Sequence, residues 1–202
     1  VIAIDIRTSV DQVARRLGNL AQDIRQKATV SAVNKTIDQG RTQMIRSITR
    51  EFNVTAGYVR ERLRVRRASL KQGAFLVEGS LIGGKRGVKR SANIIAFVER
   101  KTSLAQAKKR RKAGTLNQLF VKVKRTGPAK PLKGAFIGNK GRTVFEREGK
   151  ARLPIKPVQV IDVGQMFNTR RINGPVRDFM QRKFPEVFER EAKFYVSRFN
   201  QK

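Results

Sequence analysis

The chain has 202 residues, enough for one good-sized domain, and 39% of them are hydrophobic, with twelve Phe to build a core. It carries 46 Lys and Arg against 15 Asp and Glu, a net charge of +31, so it repels itself unless a polyanion or an acidic neighbour offsets the charge. With no Cys and no His, a disulfide framework, the usual zinc sites and Ser–His or Cys–His nucleophiles are excluded. Nucleic acid is the first partner to consider, an anionic membrane the second, an acidic protein surface the third.

Val1–Ile6 alternates apolar and polar residues and predicts a short strand. Ser9 suits an N-cap, and Val10, Val13, Leu17, Leu20 and Ile24 then recur at helical spacing. A second helix is expected from about Thr29, with Val33, Ile37, Met44, Ile45 and Ile48 on one side and Gly40 inside it. The two are expected to form an antiparallel or continuous amphipathic pair. Thr55 predicts the cap of a short third helix with Val59 and Leu63 inward and Arg60, Arg62 and Arg64 outward.

Residues 64–78 turn extended, ending in Ala74–Val77. Gly79–Arg90 reads as a loop rich in Gly and Lys, and Ile94–Val98 as a buried strand. Leu104–Ala113 reads as a basic helix, Leu119–Lys124 as an alternating strand, and Thr126–Lys133 as a turn region. Gly134–Ile137 is a further short strand. In Arg142–Phe167 a strand at Thr143–Phe145, a turn at Gly149-Lys150 and a second extended run from Arg152 follow one another, with helical pattern from Gln165. Lys156 is held extended by Pro157, since a residue before proline is pushed out of the α region. From Gly174-Pro175 the pattern is helical to the end, with Pro175 suited to the first position and Pro185 expected to kink or split the helix. Val176, Phe179, Met180, Val187, Phe188, Tyr195 and Val196 form its apolar stripe.

The expected fold class is α+β: N-terminal amphipathic helices (about 9–63), a central antiparallel sheet or small barrel (about 64–161), and a long C-terminal helix (about 162–199). All are assigned to a single domain, 1–202. No apolar run approaches the ~20 residues of a membrane helix. The opening VIAIDIRTSV has neither the basic nor the apolar region of a signal peptide, so no leader is expected.

The charge is concentrated. Arg62–Phe145 holds 23 Lys and Arg against only Glu78 and Glu99, and no acid lies between Glu99 and Glu146. Its densest run is Lys108, Lys109, Arg110, Arg111 and Lys112, followed by Lys122, Lys124 and Arg125. Strand alternation predicts Lys122 and Lys124 on one face. Such a cluster displaces condensed counterions from a phosphate backbone and binds without reading sequence. A solvated basic loop, or a contact with acidic subunits of an assembly, is the competing account. Phe120 and Phe136, the aromatics near the run, read as core, which argues against a base-stacking platform.

Catalytic signals are weak. Gly79–Arg86 nearly spells a phosphate-binding loop, but Arg86 stands where a Ser or Thr would hold magnesium. Glu148-Gly149-Lys150 matches part of a nuclease site, yet the 46 residues before Glu146 hold no acid to share the metal. Glu146 and Glu148 read as surface charges paired with Arg147, Lys150 or Arg152. Glu186, Glu189 and Glu191 read as a solvated helix face. No enzyme, cofactor, metal or small-molecule substrate is expected.

Gly134-Ala135-Phe136-Ile137, then Arg142–Arg147, then Gly149–Ile155, resemble the phage minor tail protein Z (tail completion) family. Its signature falls here on Phe136, Arg142, Phe145, Arg152, Leu153, Pro154, Ile155 and Met166. Ala32, Val33, Asn34, Arg41 and the Thr55–Leu63 helix are similar as well. Residues 99–130 depart from the family as a basic insertion. The resemblance implies a virion structural protein, assembled in the bacterial host cytoplasm, that completes the tail at its head-proximal end and helps it join the head. Implied partners are other tail and neck proteins and further copies in a ring. Non-specific contact with double-stranded DNA at the neck channel is implied for the basic surface. A ribosomal or nucleoid-type nucleic-acid-binding protein is the alternative that composition alone favours.

Overall fold

A computed structural model of the protein describes residues 15, 22–69, 80–83, 91–99, 118–149 and 153–199. It bears out the mixed class: a long N-terminal helix, small antiparallel sheets and a long C-terminal helix, with no closed barrel among the described residues. Ile24, Ala28, Ala32, Thr36, Gly40, Met44 and Ile48 recur every fourth residue, and all are buried along a single helix, α1 (Gln22–Glu51). Of the two arrangements expected, the continuous one holds over the described residues: no second helix starts at Thr29, whose hydroxyl donates to the Arg25 carbonyl at 2.7 Å inside α1. The strand expected at 1–6 lies outside the described residues, as does most of the first expected helix.

The chain divides into two compact units. The first takes its described residues from 15, 22–47, 60–69, 80–83 and 163–199, and the second from 48–59, 91–99, 118–149 and 153–162. Helix α2 (Ala56–Arg62) follows Thr55, whose hydroxyl accepts the Tyr58 N–H at 3.3 Å, as a capping threonine should.

In the first unit, α2 runs straight into strand β1 (Leu63–Arg66), so Leu63 opens a strand rather than lying inside the helix. Its partner β2 (Ser80–Gly83) occupies part of the expected loop, pairing Leu63 with Gly83 and Arg66 with Ser80. Alternation decides this: Leu63 and Leu81 are buried, and strand pairing satisfies the backbone beside them. Ala74–Val77 lies outside the described residues. A Cβ at Gly83 would collide with the ring of Phe167, which is buried with Val163 and Met166 on α3 (Val163–Asn168).

Helix α4 (Arg170–Phe199) buries Ile172, Val176, Met180, Phe184, Val187, Phe188, Glu191 and Ala192. It begins before Pro175, because the Thr169 carbonyl accepts the Ile172 and Asn173 N–H groups, both at 2.9 Å. Nor does Pro185 split it. Burial of Phe184, Val187 and Phe188 on either side outweighs the ~3 kcal/mol cost of an interior proline. Lys35 meets Glu191 while Gly40 meets Met180, so α1 and α4 run antiparallel within this unit.

Among the described residues, the second unit holds three small sheets. Strand β3 (Ser91–Asn93) pairs antiparallel with β9 (Gln159–Ile161), and β4 (Gln118–Val121) with β5 (Lys130–Lys133). Strands β6 (Phe136–Gly138), β7 (Thr143–Arg147) and β8 (Ile155–Pro157) form a sheet in that order. Ile94–Val98 is not the expected strand. Ile94–Phe97 winds into a 3₁₀ turn because the Asn93 side chain accepts the Ile95 N–H at 3.1 Å. The region expected as turn from Thr126 becomes strand at Lys130. The basic helix expected at 104–113 lies outside the described residues. No described helix is long and apolar enough to cross a membrane.

Candidate nucleic-acid interface

The basic face of the second unit is built by β4 and its continuation. Leu119 and Val121 point into the core, at 4% and 6% exposure, and Phe120 between them is exposed. Past Val121 the chain stays extended by changing partners. Val98 bridges Val121, with the Lys122 N–H donating to the Phe97 carbonyl at 2.9 Å and the Glu99 N–H to the Phe120 carbonyl at 3.0 Å. Phe52 then bridges Lys124, with the Asn53 N–H donating to the Val123 carbonyl and the Arg125 N–H to the Glu51 carbonyl, each at 2.9 Å. Both bridges hold the backbone of the basic run from its two sides. Lys122 is half-buried, and Lys124 and Arg125 are exposed.

The β4–β5 register sets Phe120 opposite Pro131 and Gln118 opposite Lys133. Directly opposed residues share a face of an antiparallel pair, so Phe120, Pro131 and Lys133 share the outer one. The reading of Phe120 as core is therefore corrected: it occupies the solvent side of an alternating strand whose inward positions are already filled by Leu119 and Val121. Alternation alone could not say which side was inward. Arg125 also lines an open cavity of about 780 Å³ with Thr49, Asn53, Thr55, Val98 and Glu99. Lys108, Lys109, Arg110, Arg111 and Lys112 lie outside the described residues.

The signature residues separate into packing and surface positions. Phe136 and Phe145 face each other in register across β6 and β7, their rings 6.0 Å apart, and the Arg147 guanidinium sits 5.2 Å from the Phe136 ring centre. Arg142 is exposed and closes a tight turn by donating its N–H to the Asn139 carbonyl at 3.1 Å. Leu153, Pro154 and Ile155 are exposed, Leu153 at 65%. Met166 is fully buried in the first unit, and Arg152 lies outside the described residues.

Glu146 is a surface charge that pairs with Lys156 at 3.1 Å, a residue that β8 sets opposite it, while Lys150 and Arg152 lie outside the described residues. One carboxylate reading changes. Glu186 and Glu189 do pair on the surface, with Lys183 and Lys193, each at 2.7 Å. Glu191 is instead buried at 4% exposure, accepting from the Ser31 hydroxyl at 2.8 Å and from the Lys35 ammonium at 2.6 and 2.7 Å. Its place at the helical spacing of Phe184 and Phe188 was the available sequence signal. Burial pushes its carboxyl pKa up, but the hydrogen bonds from Lys35 and Ser31 and the charges of Lys35 and Arg190 hold it below the ordinary value. Among the described residues, no group of three or more acids could hold a metal ion.

No curated protein and no solved structure matches the chain. The family model described as Prophage minor tail protein Z (GPZ) matches residues 8–202, nearly the whole of it, and the chain belongs to that family.

Proposed function

We propose that this structural protein of the phage tail completes the tail at its head-proximal end, supports head–tail joining as a ring of copies, and sets its basic surface beside DNA. The family supplies the tail role. The observation that carries the finer reading is the acid-free, Lys- and Arg-rich segment between Glu99 and Glu146. Within it Lys124 and Arg125 reach solvent from a backbone pinned on both sides. Fixed cations of this kind hold a duplex by its phosphates without selecting sequence, which suits a genome that must slide past. The reading is of a scaffold, not a catalyst.

Charge reversal of Lys108–Lys112 together with Lys122, Lys124 and Arg125 tests it. Tails are expected to form but particles to lose DNA or infectivity. Normal assembly, DNA retention and infection would overturn the DNA role. Locating the chain by cryo-electron microscopy anywhere other than the head-proximal end of the tail would overturn the placement. Co-purification with ribosomes or bulk nucleoid DNA would favour the ribosomal or nucleoid alternative instead.

A further inference from the structure

The eight residues Arg60–Arg67 contain five arginines and one acid, Glu61. Glu61 lies 3.5 Å from Arg62 at one end of the run, and Asp38 lies 3.0 Å from Arg67 at the other. Arg64 and Arg66 are set apart by position. They are the exposed residues of β1, whose alternation buries Leu63. The β1–β2 register sets Ile82 opposite Arg64 and Ser80 opposite Arg66, so the second strand adds no acid to this face. Arg60, exposed in the last turn of α2, adds a further cation just upstream. This hairpin belongs to the first unit, whereas the basic run at Lys122–Arg125 belongs to the second.

We infer that the outer face of the β1–β2 hairpin is a second phosphate-backbone contact, in which Arg64 and Arg66 each take one phosphate of a DNA duplex. The inference rests on the reading that this subunit lies beside DNA. Three features suit a phosphate backbone. The cations are arginines, whose planar fork bonds two oxygens of one phosphate at once. They are spaced about 7 Å apart along a paired strand, a separation that the strand keeps fixed. And the hairpin holds their backbones, so little ordering remains to be lost on binding.

Fluorescence anisotropy of a labelled duplex against the full chain, across a salt series, tests this. Removing one bound phosphate from the interface makes the slope of log K against log salt shallower by about 0.9. The double variant Arg64→Gln/Arg66→Gln is expected to flatten the slope by about 2. Arg62→Gln/Arg67→Gln removes the same charge from either end of the strand rather than from its exposed face, and is expected to change the slope by less than half as much. Thermal unfolding of both variants checks that the hairpin still forms. Equal effects from the two doubles would mean that net charge alone acts, and would overturn the inference. A slope that responds to Lys122, Lys124 and Arg125 but not to Arg64 and Arg66 overturns it while leaving the DNA reading intact. A wild type that captures poly-glutamate but not duplex overturns both.

Discussion

Glu191 and Lys35 meet at 2.6 Å, with the carboxylate almost wholly buried on α4 and the lysine side chain half exposed on α1. In a protein of net charge +31 this is an acid drawn into a core, and it is tolerated because Ser31 and Lys35 satisfy both of its oxygens. The partially wet lysine keeps the desolvation cost lower than for a fully buried pair.

The pair gives a pH dependence with a definite sign. The folded pKa of Glu191 lies below its ordinary value of 4.5, so its contribution is present above that pH and is lost as pH falls through the folded value. Melting temperature is expected to fall on acidification below that point, and to fall less steeply in Glu191→Gln. Lys35→Met should be the more damaging change at neutral pH, by about 2 kcal/mol, since it leaves a buried carboxylate with only the Ser31 hydroxyl and the exposed Arg190 to offset its charge. Urea denaturation at two pH values checks both.

Gly40 owes its place to Met180. A Cβ there would collide with the Met180 thioether, so α1 and α4 touch almost backbone to side chain at this point. Gly40→Ala gains about 1 kcal/mol of helix propensity, yet is expected to lose more by overpacking, for a net destabilisation of about 1 kcal/mol. Met180→Ala alone is expected to cost about 3 kcal/mol as a cavity. The double variant should be less destabilised than the sum of the two, because the new methyl fills space the methionine left. Strict additivity in a denaturation cycle would show that the two residues do not compete for one site.

Asn93 organises the second unit through three hydrogen bonds. Its side-chain oxygen accepts the Ile95 and Val144 N–H groups at 3.1 and 2.8 Å, and its amide donates to the Val144 carbonyl at 3.0 Å. Val144 is fully buried, so no water can replace this partner. Asn93→Ala is expected to destabilise by about 3 kcal/mol, and Asn93→Asp, which keeps the acceptor but loses the donor, by less. Amide exchange at Val144 should accelerate in both.

What could be read from the sequence, and what could not, follows from the range of the interactions involved. The Thr55 cap, the helical spacing of Val33, Ile37, Met44 and Ile48, and the short strands at Phe136 and at Thr143–Phe145 are local patterns, and they stood out. The Ile94–Val98 strand failed because its conformation is set by a side chain answering to Val144, fifty-one residues on. The expected split at Pro185 failed for a related reason: the buried face of α4 on either side of it overrides intrinsic propensity. At the basic site, the count of cations was plain, but which strand face Phe120 occupies depends on what fills the other side.

The turn between β6 and β7 stores strain. Asn139, Lys140 and Gly141 all have left-handed backbone conformations, with φ of 51°, 52° and 84°. Asn and Gly tolerate that region, whereas a lysine there costs about 1 kcal/mol. Lys140 is exposed, so nothing in the packing of its side chain offsets the cost. Lys140→Gly is therefore expected to raise the melting temperature by about 2–4 °C, even after allowing for the greater freedom of glycine in the unfolded chain. Gly141→Ala, which introduces the same conflict at the next position, should lower it by a similar amount. A stabilised Lys140→Gly chain that no longer supports infectious tails would show that the strained lysine is kept for a contact outside the subunit; retained infectivity would assign the strain to the turn alone.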